Sequence, residues 1–364
     1  MINNNLIIFM PSIESGGVEK NLFLIANDLI KQYRYLTIIT ASQNTGKFDK
    51  KIKIIKPKTS GYVLKFRYVK IIFSIIFLIK ELLKNKKMVV LSFQANIYAI
   101  IVCRLFNKKI IARANSSPSG WIGSNFKSLL FKLILPLANS IIVNSNEFKK
   151  ELLDKLKVFS ICILNPLDKK IIIQKSNKII KNPYKSKKTL KFISIGRLVN
   201  QKDHITLLKA FNHIKNKINF ELLIVGQGNN KHLIQKYIYS NKLNKNVRLI
   251  GFKDNPYPYL KISDALILSS LYEGLPNVIL ESIVLKKLVI SSNCPTGPKE
   301  ILRNGKCGLL FKTGSFKDLS KKILFFSKNR KKCLEKISAS QLTLNIYNKK
   351  LNIKKYSEVI KAAF

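Results

Sequence analysis

Ten short runs of strand-forming residues recur along this chain, separated by stretches whose apolar residues fall at helical spacing. That alternation limits the fold more than any other feature. Residues 6–10 (Leu-Ile-Ile-Phe-Met) are apolar throughout, as a strand covered on both faces must be. After a turn at 11–17, Val18, Leu22, Ile25, Ala26 and Leu29 repeat at helical spacing, and 35–40 reads as the next strand. The pattern continues through 89–93, 109–112 and 140–143. It restarts at 192–195 and runs on through 221–225, 247–250, 265–268 and 288–290. Strands alternating with helices predict doubly wound parallel α/β sheets. Between the two series, 174–191 is polar, rich in Lys, Asn and Ser, and contains Pro183, which reads as a linker. The expected organisation is a first α/β domain at 1–173, a linker at 174–190, a second α/β domain at 191–345, and a C-terminal helix at 346–364 able to cross back to the first domain. Open parallel sheets bind ligands beyond the carboxyl ends of their strands. Two such domains facing each other would therefore hold a site in the cleft between them.

A chain of 364 residues can supply two cores of ordinary size, and 46% hydrophobic content excludes a disordered protein. The 66 Lys+Arg against 19 Asp+Glu give a formal charge of +47. Such an excess fits a nucleic-acid partner, an anionic membrane face, or a Lys-, Asn- and Ile-rich coding bias. The lysines are dispersed and no basic stripe is interleaved with aromatics, so no nucleic-acid partner is expected. The five cysteines contain no C-x-x-C pair and read as reduced thiols, and the three histidines lack metal-site spacing. Residues 1–5 carry no basic cluster and the following apolar run is only five residues long, which predicts a cytoplasmic protein without a signal peptide.

The second series carries the residues on which chemistry can be built. Strand 192–195 ends at Gly196-Arg197, with Lys202 soon after. A glycine there lets backbone approach a ligand, and two cations suit a diphosphate that must be neutralised as it departs. Taken alone, the two also fit as solvated cations of a basic protein. Asp203 or Thr206 can cap the next helix. Strand 265–268 runs into Ser269-Ser270-Leu271-Tyr272-Glu273-Gly274-Leu275-Pro276-Asn277-Val278-Ile279-Leu280-Glu281. A helix should begin near Pro276, its first N–H groups forming an anion site. Glu273 precedes that helix and Glu281 lies about two turns along it, so they do not form a close pair. Each can instead bind vicinal hydroxyls on a different part of an elongated ligand.

Gly196-Arg197 with Lys202, then Glu273 and Glu281, resemble the donor-site signature of retaining glycosyltransferases of family 4, which have the GT-B fold. Further segments resemble the family in the same order: Gly16-Gly17 with Glu19, Asn165-Pro166-Leu167-Asp168, Val225-Gly226-Gln227-Gly228, Ile250-Gly251-Phe252, and Cys294-Pro295-Thr296-Gly297-Pro298-Lys299-Glu300-Ile301-Leu302. The resemblance implies two Rossmann-like domains facing a central cleft. It implies catalysis by Glu273, Arg197 and Lys202, with the cations on the donor diphosphate and Glu273 on the sugar. Glu281 would hold the ribose, and Gly16, Gly17, Gly196, Gly274, Leu275, Asn277 and Val278 would bring backbone to the donor or acceptor. The implied reaction retains anomeric configuration by front-side attack, the leaving phosphate accepting the acceptor's proton. Many members carry a histidine shortly after the strand matching 109–112. Here Arg113-Ala114-Asn115 stand instead, which makes Arg113 and Asn115 the candidate acceptor-side contacts, while His204, His213 and His232 read as ordinary helix residues. No Asp-x-Asp occurs, so a metal-independent enzyme without a cofactor is expected, its donor a UDP- or GDP-sugar and the transferred group a hexosyl or N-acetylhexosaminyl residue. A sugar-nucleotide epimerase or a phosphorylase on the same architecture is the alternative, but these need another acid/base set or a pyridoxal-phosphate lysine.

Relatives of this kind build lipopolysaccharide, O-antigen or capsule, which implies a glycan or lipid-linked acceptor. Residues 50–146 hold 18 Lys+Arg and one acid, Glu81. The most hydrophobic run, 71–79, is bounded by Lys70 and Lys80 and falls short of the roughly 20 residues that span a bilayer. Residues 62–83, from Tyr62 with Lys65, Arg67, Lys70 and Lys80, read as a basic helix able to lie in a lipid interface, with Trp121 a second anchor. A core helix with solvated lysines is the other reading. The expectation is a peripheral protein on the inner face of the cell membrane, with an anionic membrane surface among its partners.

Overall fold

The computed structural model describes residues 2–14, 16–58, 66–84, 87–120 and 125–364. Tyr62, Lys65 and Trp121 lie outside the described residues. The chain forms two compact units: Met1–Pro166 with Tyr347–Phe364, and Leu167–Ile346.

In the first unit, β1 (Ile2–Phe9), α1 (Gly17–Leu29), β2 (Tyr33–Ile39), β3 (Lys53–Ile55), α2 (Arg67–Lys84), β4 (Met88–Ser92) and α3 (Asn96–Leu105) come first. They are followed by β5 (Lys109–Arg113), α4 (Asn125–Ile134), β6 (Ser140–Val143), α5 (Asn146–Leu156) and β7 (Ile161–Cys162). Among the described residues the strands form one parallel sheet in the order β3-β2-β1-β4-β5-β6-β7. The all-apolar β1 is explained by its two buried faces, since successive side chains point opposite ways. Leu6 and Ile8 pack with α1 and with Ile353, Tyr356 and Ile360 of the C-terminal helix, Lys349–Ala363. Ile7 and Phe9 pack with Leu78 and Leu82 of α2, Ile100 of α3 and Phe148 of α5. Among the described residues no helix is long and apolar enough to cross a membrane.

The first domain is expected to end at 173 and the second to begin at 191, whereas the second unit begins at Leu167. Asp168 caps α6 (Lys169–Ser176), which groups with this unit. Nor does 174–190 run free between units: buried Tyr184 donates to the Phe192 carbonyl at 3.0 Å, and the Lys185 and Ser186 N–H groups bond the Glu221 carboxylate at 2.9 and 2.8 Å. The alternation then runs β8 (Leu190–Ile195), α7 (His204–Ile214), β9 (Phe220–Val225), α8 (Lys231–Ser240), β10 (Val247–Gly251), α9 (Tyr257–Lys261) and β11 (Ala265–Leu268). It ends with α10 (Asn277–Val284), β12 (Leu288–Ser292), α11 (Pro298–Ile301), β13 (Leu309–Phe311), α12 (Phe316–Lys328) and α13 (Arg330–Leu342). The strands form a parallel sheet in the order β10-β9-β8-β11-β12-β13. Phe211 anchors its core, with ring centroids 5.2 Å from Phe192 and 4.6 Å from Phe220.

Candidate functional site

Strand order reverses between β8 and β11 in the second sheet. Connections leave opposite ways at such a point and open a crevice beyond the strand ends, where ligands of open α/β sheets bind. The loops at this reversal are 196–203 and 269–276, which carry most of the candidate residues. They are fastened to each other. The Leu271 N–H bonds the Gln201 carbonyl at 2.8 Å, Gln201 Nε2 bonds the Tyr272 carbonyl at 2.8 Å, and Ser269 Oγ bonds the Lys202 carbonyl at 2.8 Å. The loop after β12 joins them through the Glu273 N–H, 2.6 Å from the Pro295 carbonyl, and Ser292 Oγ, 2.6 Å from the Ser270 carbonyl. Close backbone approach explains two glycines. A Cβ on Gly226 (φ +155°) would lie 1.8 Å from the Gly196 carbonyl oxygen, and one on Gly297 (φ +90°) 2.0 Å from that of Gly274. Gly196 itself has room for a Cβ, 3.5 Å from the Lys202 methylenes. The steric demand at the β8 exit thus falls on Gly226.

Within this frame Lys202 Nζ pairs with Glu273 Oε1, which also accepts from Ser270 Oγ at 2.6 Å. Both charged side chains are largely enclosed. Sequence reasoning expected two open cations at the strand exit. Instead Lys202 is already matched by a carboxylate, and Arg197 is the exposed cation, its guanidinium 3.5 Å from Gln201 Oε1. Gly274 and Leu275 are buried, and Asn277 and Val278 open α10, whose N-cap Pro276 supplies no side-chain cap. Glu281 is buried about one turn further along α10 and accepts from Tyr257 OH at 3.1 Å. Burial first, then the Glu281 carboxylate, raises the Tyr257 pKa, so the phenol stays protonated and donates. Asp203 caps α7 through the Thr206 N–H at 3.1 Å. Next to it, burial and then the Lys202 charge lower the His204 pKa to about 4, keeping that imidazole neutral. Behind the loops, burial and then the Glu273 carboxylate push the Cys294 thiol up to about 12, which leaves it unreactive. Ser270 and Tyr257 were missed as site residues. Serine is common in loops, and Tyr257 lies 24 positions before Glu281 with no spacing that marks it.

In the first sheet the order reverses between β1 and β4. The loops there meet where the Ser12 N–H bonds Gln94 Oε1 at 3.1 Å, and Lys70 Nζ reaches Ser12 Oγ at 3.3 Å. Gly16 and Gly17 start α1, Gly16 as N-cap, with buried Glu19 one turn on. Of the two acceptor-side candidates, Arg113 is the enclosed one. It is fully buried at the end of β5, with Nε 2.7 Å from Tyr356 OH, Nη2 2.8 Å from Asn165 Oδ1, and its guanidinium over the Phe93 ring. A side chain so enclosed is explained by packing the C-terminal helix. Asn115 is half-buried, donates to the Phe93 carbonyl at 2.6 Å, and its Oδ1 has no hydrogen-bond partner among the described residues. Each candidate keeps one polar atom without a hydrogen-bond partner among the described residues, Nη1 of Arg113 and Oδ1 of Asn115, but only Asn115 is not fully buried. Among the described residues no cluster of three or more His, Cys, Asp or Glu could hold a metal.

Residues 175–342 match the model of glycosyl transferases group 1. An uncharacterized glycosyltransferase of Methanocaldococcus jannaschii is 33% identical over 277 residues, covering 71% of this chain and 68% of that protein. The Campylobacter jejuni N-acetylgalactosamine-N,N'-diacetylbacillosaminyl-diphospho-undecaprenol 4-alpha-N-acetylgalactosaminyltransferase is 30% identical over 226 residues, 58% of this chain and 59% of that enzyme. The crystal structure of Anabaena Alr3699/HepE with UDP-glucose superposes over 99% of this chain and 100% of that one, with a TM-score of 0.79 at 13% identity.

Proposed function

This chain belongs to the group 1 glycosyl transferases, and from that premise we propose that it moves a hexosyl or N-acetylhexosaminyl group from a UDP- or GDP-sugar to a lipid-linked glycan. The observation that carries the proposal is the arrangement at the β8/β11 reversal. Exposed Arg197, the Lys202–Glu273 pair and the start of α10 gather there on three loops bonded to one another. An anion entering beyond these strands meets Arg197, Lys202 and the α10 N-terminus, which is the charge pattern a diphosphate leaving group needs. Lys202 is held by Glu273 and so is oriented before the donor arrives. Glu273 then faces the sugar and Glu281, fixed by Tyr257, the ribose.

In the proposed reaction the acceptor hydroxyl attacks the anomeric carbon on the face from which the diphosphate departs. The glycosidic C–O bond forms as the C–O bond to phosphate breaks, and the departing phosphate oxygen takes the hydroxyl proton. The products are the retained glycoside and the nucleoside diphosphate, and no metal takes part. Solved relatives with UDP or UDP-glucose bound support the donor class, and relatives named for undecaprenol-linked substrates support the acceptor class. The same relatives support a role in surface-glycan assembly, and the proposed lipid-linked acceptor would put the enzyme at the cytoplasmic side of an anionic membrane. A panel of UDP- and GDP-sugars is to be incubated with polyprenyl-diphosphate-linked glycans, with and without a chelator. The proposal requires chelator-resistant transfer that NMR assigns as the α-anomer from an α-linked donor. Inversion, loss of transfer to the chelator, or donor epimerisation without transfer refutes it.

A further inference from the structure

One face of the first sheet is covered by α2, α3 and α4 packed side by side, and all three turn apolar side chains outward. On α2, Ile72 and Ile76 are 58% and 42% exposed. On α3, Leu105 is 78% exposed, four residues after exposed Ile101. On α4, Leu133 is 62% exposed, four residues after exposed Leu129. Spacing of four places each pair on one stripe of its helix, so these are apolar stripes on three adjoining helices rather than scattered residues. The inner stripes of α2 and α3 already fill the sheet face through Leu78, Leu82 and Ile100, so the outer ones add nothing to the core.

We infer that the outer faces of α2, α3 and α4 form one docking surface for an anionic lipid bilayer. Charge selects that occupant. Segments 66–84, 96–109 and 125–137 carry nine Lys+Arg and one acid, Glu81, which is buried and paired with Lys53 and Lys84 at 3.5 and 3.2 Å. A second copy of the same face would set cation against cation, and a nucleic acid would leave the aliphatic stripes in water. A bilayer with anionic headgroups satisfies both, taking the aliphatics into its acyl boundary and the cations at its phosphates. The surface also touches the site loops of its own unit. Lys70, on the first turn of α2, bonds Ser12 at the β1/β4 reversal, so a bilayer on this face lies beside the acceptor-side loops.

The inference rests on the lipid-linked-acceptor reading for its purpose, but its test needs neither donor nor acceptor. The full chain is to be sedimented with phosphatidylglycerol-containing vesicles and with pure phosphatidylcholine vesicles. Binding is expected only to the former, and weaker as salt rises. Arg67→Gln, Lys80→Gln and Lys132→Gln together should weaken it about a hundredfold, from roughly fivefold per cation. Leu129→Ser with Leu133→Ser, on α4 alone, should weaken it at least about tenfold. All five positions face solvent or the helix surface, and an unchanged melting temperature checks that the fold is kept. No pelleting, equal pelleting with both vesicles, or full binding by the α4 variant overturns the inference. So does self-association in place of vesicle binding. Vesicle binding without transfer to any lipid-linked glycan leaves the surface standing and refutes only the acceptor reading.

Discussion

Lys202→Ala should unfold the second unit at lower temperature, and the size of the effect follows from the ion pair. The Lys202 and Glu273 side chains are 15% and 8% exposed, so removing the lysine strands a carboxylate with little access to water. Breaking an enclosed pair from one side costs about 3–5 kcal/mol. Ser270 still donates to Glu273, and the lysine site admits some water, which puts the cost near the lower end, about 3 kcal/mol. For a unit of this size, each kcal/mol moves the transition by roughly 2–4 °C, so calorimetry should show a fall of roughly 6–12 °C. Adding Glu273→Gln removes the stranded charge and should recover about 2 kcal/mol without restoring transfer. The double variant must therefore melt above the single one. If Lys202→Ala melts with the parent, or Glu273→Gln adds to its loss, the pair does not exist as described. Reasoning from a strand-exit position alone expects little loss of fold at either Arg197 or Lys202. The ion pair separates the two.

Arg197→Ala, at an exposed position, should leave the melting temperature unchanged and lower transfer about a hundredfold, as loss of a leaving-group cation worth about 3 kcal/mol would. Arg113→Ala should destabilise the first unit by about 3 kcal/mol, by removing its bonds to Tyr356 and Asn165 from a buried site, and leave the acceptor KM unchanged in the protein that remains folded; a raised acceptor KM at unchanged stability would make Arg113 an acceptor contact. Tyr257→Phe should raise the donor KM more than it lowers kcat, because it takes one hydrogen bond from Glu281 and none from the residues facing the reacting sugar, and equal effects on both would remove it as a positioning residue. His204 has a folded pKa near 4 against an ordinary 6.5, so between those values the unfolded chain binds the extra proton and stability falls as pH drops. The loss approaches about 3 kcal/mol below pH 4, and a denaturant series should show that His204→Gln flattens the slope.

The two sheets were legible because their central strands are buried on both faces, which leaves runs such as 6–10 and 265–268 without a polar residue. Strands β3, β7 and β13 were not, since they have two or three residues and lie at the sheet edges, too short to show a period. The candidate donor residues were legible as positions. Strand exits and helix starts punctuate the sequence with glycine and proline; Arg197 and Glu273 fall beside them, and Glu281 lies about a turn into the helix that follows. Their pairings were not legible. Nothing local joins Lys202 to a carboxylate 71 residues away, or Arg113 to a tyrosine 243 residues away. The burial of Arg113 was hidden for that reason: a charged residue at a strand end is exposed unless a distant segment covers it, and here the C-terminal helix does.

That same helix sets an order on the birth of the molecule. The second unit is one continuous segment, Leu167–Ile346, and everything it needs has been synthesised before Tyr347 is added. The first unit is begun earlier yet finished later. Until Ile353, Tyr356 and Ile360 emerge, one face of its sheet lacks part of its cover and the Arg113 guanidinium lacks its phenol. Domains usually fold in the order they are made. Here the nascent chain must hold an open, cationic, apolar-faced half-domain in water while its neighbour closes, and only the last helix seals it.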